Sequence, residues 1–213
     1  LFDLGISSYQ VDSGYKGLSY RKNSKLDMSL DPKSKINLRD LLHKSTEEEI
    51  ADIIYNFSDE RASRKIAKSI CKYIDDGKME ENNDLVESME KVIPPRFLNK
   101  TLSRVFQSFR IKVNNELDNL VRSLVHSINL LKPGGRIAVI SFHSIEDRLV
   151  KNIFKDFSMG KKSILKTMGF DFPDECEKLL KRVTKKPVHP NWNEVKNNRR
   201  SRSAKLRVAE RIN

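Results

Sequence analysis

Hydrophobic residues recur along the middle of the chain with the spacing of amphipathic helices. Ile50, Ile53, Ile54 and Phe57 stand three or four positions apart, which predicts a helix with one buried face. Ser45-Thr46 followed by Glu48-Glu49 predicts a capping box at the start of this helix. The same spacing continues in three further segments: Ala62 to Ile74, a short helix opened by Asn82-Asn83, and one long helical run from Phe106 to Leu131.

Two segments have the continuous apolar character of buried strands. Leu1–Gly5 resembles the carboxyl end of a strand, and Arg136–Phe142 is rich in β-branched and apolar residues. The turn Pro133-Gly134-Gly135 ends the long helical run just before the second strand, and a helix is predicted from His143 to about Phe157. A helix, a tight turn and a buried strand are typical of a parallel α/β layer, so the sequence predicts an α/β fold interrupted by helices.

Composition narrows the class of protein. The chain has 213 residues with 41 basic and 29 acidic side chains, so its net charge is 41 − 29 = +12, which favours an anionic partner. No apolar run reaches the roughly 18 to 20 residues that cross a bilayer, so we expect no membrane partner. Cys71 and Cys176 are too few for a disulfide framework, and the acidic residues lack the clustered His and Cys of a transition-metal site.

Most of the excess charge lies at the carboxyl end. Residues 178–213 contain 12 basic and 2 acidic side chains, which gives +10 of the total +12. Within this segment, the run Arg199-Arg200-Ser201-Arg202-Ser203 alternates guanidinium groups with hydroxyls, a combination suited to phosphate and sugar contacts. The alternative is a solvated charged face. We favour nucleic-acid contact at Arg199, Arg200, Arg202 and Lys205.

The eight glycines form no G-x-G turn of the kind that lets backbone approach a dinucleotide or adenosyl cofactor. If the protein binds such a cofactor, we expect the strand, glycine loop and helix that hold it to precede Leu1. The plain alternative is that Leu1–Gly5 is an ordinary edge strand that follows a cleaved leader.

Five motifs follow one another along the chain: D-L-G-I-S-S-Y-Q at 3–10, L-D-M-S-L-D-P at 26–32, F-Q-S-F-R-I at 106–111, the stretch P-G-G-R through S-F-H-S-I-E-D-R at 133–148, and R-R-S-R-S-A-K-L-R at 199–207. Together they resemble the MraW (RsmH) family of bacterial methyltransferases. The resemblance implies a Rossmann-like class I methyltransferase sheet, present in part, with an inserted all-helical domain. The implied domains are 1–35 and 116–213 for the methyltransferase part, the latter with the basic segment, and 36–115 for the insert.

The resemblance also implies a reaction. Family members use S-adenosyl-L-methionine to methylate the N4 amine of a cytidine in small-subunit (16S) ribosomal RNA near the decoding centre. By position in the motif, Asp3 and Gln10 are the implied cofactor contacts, and the family's glycine motif would lie upstream of Leu1. The implied partners are small-subunit ribosomal RNA or the small ribosomal subunit, and a homodimer is a further option. The implied location is the bacterial cytoplasm, with an organelle relative left open.

Three residues are candidates for the chemistry. A carboxylate at a strand end, as at Asp3, could bind the cofactor, accept a proton from the amine, or cap the next turn. Ser7 could orient the base or only stabilise a turn. His143 follows the second strand, so we expect it near the same edge of the sheet as Asp3. It is either a base or a structural hydrogen-bonding residue.

Two rival hypotheses remain. One is a non-catalytic RNA-binding or ribosome-assembly protein that has lost its cofactor lobe. The other is an enzyme of the same fold that acts on DNA cytosine or on another base of the small-subunit RNA.

Overall fold

The computed structural model describes residues 1–12, 15–161, 163–169 and 177–213. Over these residues it has ten α-helices and four β-strands, which confirms the α/β class. The chain separates into two compact units, Ile6–Glu116 and a second one formed by Leu1–Gly5 together with Leu117–Asn213. Cys176 lies outside the described residues.

The unit Ile6–Glu116, called here the helical unit, contains the first six helices and a single-turn 3₁₀ helix at Tyr15–Gly17. Capping residues mark where its helices begin and end. Thr46 and Glu49 exchange hydrogen bonds as a capping box, and Asp59 ends the same helix in the left-handed conformation. The helices are α1 (Ser8–Asp12), α2 (Leu38–Lys44), α3 (Glu47–Ser58), α4 (Ser63–Asp75), α5 (Asn82–Glu90) and α6 (Pro95–Val113).

The core of the helical unit is formed by the apolar stripes that the sequence predicted. Ile50 and Ile54 on α3 and Ile66 and Ile70 on α4 are fully buried, and they share one cluster with Phe109 of α6. The same cluster includes side chains of the segment before α2, namely Leu18, Leu26 and Met28. By compactness, residues 6–35 therefore belong with the helices. The boundaries at residues 35 and 115 separate the implied methyltransferase domain from its implied insert, and they stay a prediction.

The prediction of one continuous helix from Phe106 to Leu131 is wrong. The run is divided into α6, which ends at Val113, and α7 (Glu116–Leu130). Asn115 between them has φ 49°, a left-handed conformation that asparagine tolerates better than most residues and that a helix cannot contain. The Asn114 side chain binds backbone instead, accepting from Leu30 N at 2.7 Å and donating to Met28 O at 2.8 Å.

The second unit, called here the sheet unit, contains a mixed four-stranded sheet. The two strands predicted from sequence are neighbours and run parallel, which confirms the expected parallel pairing. The third and fourth strands are antiparallel additions from the basic carboxyl-terminal segment, so the strand order is β1-β2-β4-β3. The elements are β1 (Phe2–Asp3), β2 (Arg136–Ser141), β3 (Leu180–Arg182) and β4 (Lys205–Arg211), with α7, α8 (Ser144–Met159), α9 (Ser163–Thr167) and α10 (Trp192–Asn197), and a 3₁₀ turn at Arg199–Ser203.

The core of the sheet unit lies between the sheet and two helices. Val121 and Ile128 of α7 and Ile153 of α8 are buried against Ile137 and Val139 of β2. Because β2 is bordered by β1 on one side and β4 on the other, its loop at residues 142–143 is fixed in position. None of the helices among the described residues is long and apolar enough to span a bilayer.

Candidate active site at the carboxyl ends of two parallel strands

The site begins with the register of β1 and β2. Phe2 pairs with Val139 and Asp3 with Ile140, and Leu4 N donates to Ile140 O at 3.0 Å. Parallel strands in this register end at the same edge, so the segments that follow Asp3 and Ile140 leave the sheet together. In α/β proteins, ligands bind outside the carboxyl ends of the strands.

Asp3 presents a free carboxylate at this edge. Its side chain is exposed, and no residue in the described part of the chain forms a hydrogen bond or an ion pair with it. Gly5 turns the chain away from the strand at φ +94°, with the Phe142 ring packed 3.9 Å from where a Cβ would stand. The observed contacts therefore do not use the Asp3 carboxylate to cap the next turn.

His143 leaves β2 at the same edge and begins α8 as its N-cap residue. Its Nδ1 accepts from Glu146 N at 3.4 Å, and the Glu146 carboxylate accepts in return from His143 N at 3.4 Å and from Phe142 N at 2.9 Å. The buried Nε2 lies 3.0 Å from Glu146 Oε1 but is not aligned for a hydrogen bond. These are structural contacts, and a catalytic role for His143 stays a prediction.

A second carboxylate on the first turn of α8 ties the helix to β4. Arg207 is buried, and its Nε and Nη2 donate to Asp147 at 2.7 and 3.1 Å, while Lys205 Nζ lies 3.6 Å from the same carboxylate. Burial alone would raise the pKa of Asp147. The hydrogen bond and charge of Arg207, with the charge of Lys205, outweigh burial and hold that pKa below its ordinary value.

Ser7 and Gln10 bind each other in the helical unit. Ser7 N donates to Gln10 Oε1 at 3.0 Å, and Gln10 N donates to Ser7 Oγ at 3.2 Å, a reciprocal cap on the short α1. Both side chains therefore fix the loop that follows Gly5. The roles of Ser7 in catalysis and of Gln10 in cofactor binding stay predictions.

The four predicted RNA-contacting residues lie in two settings. Arg199, Arg200 and Arg202 are exposed on the 3₁₀ turn, whereas Lys205 begins β4 and directs its ammonium to Asp147. Lys205 is thus half-buried and already partnered. Its role in RNA contact stays a prediction.

The structural roles of Glu146 and Asp147 were not predicted from the sequence, although both residues stand in one of the five motifs. The signal for Glu146 was the spacing His143-x-x-Glu146, which fits a capping box with histidine in place of serine or threonine. Asp147 had no local signal because its partner Arg207 is 60 residues away. Among the described residues, no group of three or more His, Cys, Asp or Glu side chains is placed to hold a metal ion.

The fold defines an α/β protein. The edge where its parallel strands β1 and β2 end has the geometry of a ligand-binding site. Comparison with known proteins identifies the family. The MraW methylase family matches residues 1–212, and the chain belongs to that family.

Three relatives, each named ribosomal RNA small subunit methyltransferase H, illustrate the similarity. The protein of Prochlorococcus marinus is 42% identical over 212 residues, which cover 98% of this chain and 64% of the relative. That of Fusobacterium nucleatum is 40% identical over 215 residues, covering 100% and 67%, and that of Caldicellulosiruptor saccharolyticus 43% over 217 residues, covering 100% and 69%. The chain therefore spans about two thirds of the length of the relatives it matches.

Proposed function

We propose that the protein transfers a methyl group from S-adenosyl-L-methionine to the N4 amine of a cytidine in small-subunit ribosomal RNA near the decoding centre, in the bacterial cytoplasm. Membership of the MraW methylase family and the names of the relatives support the reaction class. The single observation that carries the chemistry is the unpaired carboxylate of Asp3 at the carboxyl edge of the parallel pair β1 and β2.

The cofactor would supply an electrophilic methyl group on a sulfonium. A free, exposed carboxylate fits a ligand that carries positive charge, so the residues present fit this group. Asp3 and Gln10 are proposed to hold the cofactor. The Gln10 side chain accepts from Ser7 N, and this contact fixes the start of the helix α1 that carries Gln10.

Asp3 is also the proposed proton acceptor. The lone pair of the cytosine amine is delocalised into the ring, so the amine is a poor nucleophile until a proton leaves it. A carboxylate within reach would accept that proton as the new bond forms, an effect typically worth 10² to 10⁴-fold in rate. Ser7 is proposed to orient the base. His143, which Glu146 holds in place, is proposed to line the site where β2 ends.

The arginine-rich turn is the proposed contact for RNA phosphates. Arg199, Arg200 and Arg202 are exposed and close together in sequence, with serines between them. Guanidinium groups bind phosphate in a bidentate manner, and such contacts position a nucleic acid without reading its sequence. A target cytidine must be unpaired or flipped out to reach a strand edge.

We further propose that the helical domain is an insertion into a Rossmann-like methyltransferase domain of which this sheet is a part. The order of the compact units supports this organisation, because the helical unit interrupts a sheet unit formed by residues 1–5 and 117–213. The parallel pair with antiparallel β4 and β3 is consistent with one half of a larger doubly wound sheet.

The test is methyl transfer by the protein as the cell makes it. Radiolabelled S-adenosylmethionine is incubated with small-subunit RNA, assembled small subunits, or a cytosine-containing DNA of the same sequence. Digestion and mass spectrometry then identify the methylated base. We expect N4-methylcytidine in RNA and at least a hundredfold slower transfer by the Asp3→Asn variant.

The matched control is Asp52→Asn, which changes an exposed carboxylate on α3 and should leave transfer unchanged. Wild-type transfer by Asp3→Asn would refute the role of Asp3. Methylation of DNA, or of another base, would favour the second enzyme. RNA binding without cofactor binding by calorimetry would favour the assembly protein.

A further inference from the structure

Trp192 is an exposed tryptophan that the proposed reaction leaves without a role. It opens α10, and 72% of its surface is accessible. It is also the single tryptophan of the chain. Large aromatic side chains left in solvent are frequent at binding surfaces, because the flat ring offers contact area with few rotatable bonds to fix.

A cation lies on the Trp192 ring. Lys196, one helical turn further along α10, places its ammonium 5.1 Å from the ring centroid. This cation–π contact covers part of the indole and orients it. With 72% of the residue accessible, the ring still presents a face for stacking.

The surroundings of Trp192 are strongly basic. From residue 181 to residue 202 the chain has eight basic side chains and one acidic one, a net charge of 8 − 1 = +7, and all eight basic residues are exposed. They include Lys185 and Lys186 before α10 and the arginines of the adjoining 3₁₀ turn after it. A positive surface with an exposed aromatic ring is the combination by which proteins bind single-stranded nucleic acid.

The composition of α10 argues against a lipid surface as the partner. The helix has six residues, of which only Trp192 and Val195 are apolar, so it lacks the apolar face of a membrane-binding helix. Asn193 and Asn197 lie beside these positions and provide exposed amide groups that suit nucleobases, whereas Asn191 Oδ1 accepts from Glu194 N as the N-cap of the helix.

We propose that Trp192, held by Lys196, is a stacking platform for an unpaired base of the RNA, next to the phosphate-contacting arginines. This inference rests on the proposed function only for the identity of the natural RNA. The platform would extend the RNA contact from phosphates to bases.

The experiment titrates the protein with an unstructured 12-nucleotide RNA and measures tryptophan fluorescence together with the anisotropy of a dye on the RNA. Stacking of a base on the indole should quench the tryptophan fluorescence of the wild type, which comes from Trp192 alone. Trp192→Ala should raise Kd by roughly 5- to 100-fold. Trp192→Tyr, which keeps an aromatic ring, should restore most of the affinity.

The matched control is Tyr55→Ala, which removes an aromatic ring that is 54% exposed on α3 of the helical unit and should leave Kd unchanged. The dependence of Kd on salt should be the same for Trp192→Ala and the wild type, because the phosphate contacts remain.

Four results would overturn the inference. These are absence of RNA binding, RNA binding without quenching, an unchanged Kd for Trp192→Ala, and equal quenching by polyglutamate or by vesicles of anionic lipid. RNA binding without quenching leaves the proposed methyl transfer intact. Conversely, quenching and a Trp192-dependent Kd in a protein that transfers no methyl group would support the platform and refute the enzyme.

Discussion

Replacing Arg207 by methionine should destabilise the sheet unit through the Asp147 carboxylate that is left behind. Arg207→Met keeps an unbranched apolar side chain and removes the guanidinium group with its charge. In the wild type, Arg207 is 6% exposed and donates two hydrogen bonds to Asp147, whose side chain is 13% exposed. The variant therefore leaves a largely buried carboxylate whose remaining cation is Lys205, at 3.6 Å.

The magnitude follows from the geometry. Breaking a buried ion pair by removing one partner costs about 3 to 5 kcal/mol. The residual exposure of Asp147 and the nearby Lys205 reduce this penalty, so we expect about 2 to 3 kcal/mol of lost unfolding free energy. The double variant Arg207→Met, Asp147→Leu should recover most of the loss, because neither charge is then buried alone.

The dependence on pH gives an independent check. The folded-state pKa of Asp147 is lowered, so its stabilising contribution is fully present above the ordinary carboxyl value of about 3.9 and is lost as the pH falls through the folded-state value. In Arg207→Met the buried negative charge of Asp147 destabilises the folded state, and protonation of the carboxylate removes this cost. The difference in stability between the wild type and this variant should therefore shrink as the pH falls from 7 towards 4.

Urea unfolding followed by circular dichroism gives the free energy, and amide hydrogen exchange of residues 136–141 and 205–211 assigns the loss to the sheet unit. Arg136→Met is the control, because it breaks the Arg136–Glu210 pair of 2.8 Å in the same sheet with an arginine that is 65% exposed. That change should cost under about 1 kcal/mol. Equal costs for the two variants, or a cost of Arg207→Met that does not vary with pH, would refute the reasoning.

Three further predictions concern the helical unit. Gly17→Ala should lower the free energy of unfolding by more than about 2 kcal/mol, because Gly17 has φ +75° and a Cβ would stand 2.6 Å from a backbone oxygen. Gly77→Ala, at φ +72° with open space around it, should cost about 1 kcal/mol. Urea unfolding that gives equal costs for the two variants would contradict this prediction. Asn82→Ala should cost about 1 to 3 kcal/mol by the same assay, because its buried amide donates to the backbone carbonyls of Gly17, Ser19 and Lys22. A neutral change would show that those carbonyls find other partners. Burial and nearby carboxylates raise the pKa of the Cys71 thiol. In a Cys176→Ser background, the increase of the Cys71 alkylation rate with pH should therefore occur at a higher pH in the folded chain than in urea. Coincident pH profiles in the two conditions would contradict the raised pKa.

Local patterns predicted α3, α4, α5, α8 and the parallel strand pair, whereas α1, α9 and α10 were not predicted. The capping box of α3, the buried stripes of α3 and α4 and the turn before β2 are each encoded within a few residues, and the structure confirms them. The break at Asn115 was not predicted, because apolar spacing continues across it and only the positive φ of one residue interrupts the helix.

The strands β3 and β4 were missed for a different reason. Their sequences are charged, and β4 buries Arg207 and Ala209 rather than its larger apolar residues. Arginine can occupy that inward position only because its charge is neutralised by Asp147, which lies on a helix 60 residues away in sequence. At the candidate site, Asp3 and His143 were predicted to lie at one edge, and the register of β1 and β2 agrees, whereas the reciprocal bonds of Ser7 and Gln10 follow from a turn geometry that spacing did not predict.

The order of strands in the sheet has a consequence for how the protein is made. β2 obtains one neighbour from the start of the sequence, through Phe2, and the other from residues 205–211. The helical unit is a continuous segment, so it can fold on the ribosome as it emerges, at a synthesis rate of about 5 to 20 residues per second. The sheet must wait until β4 has been released, and contacts so far apart in sequence form slowly. During that interval, β1 and β2 are the surfaces that a chaperone would have to shield from aggregation.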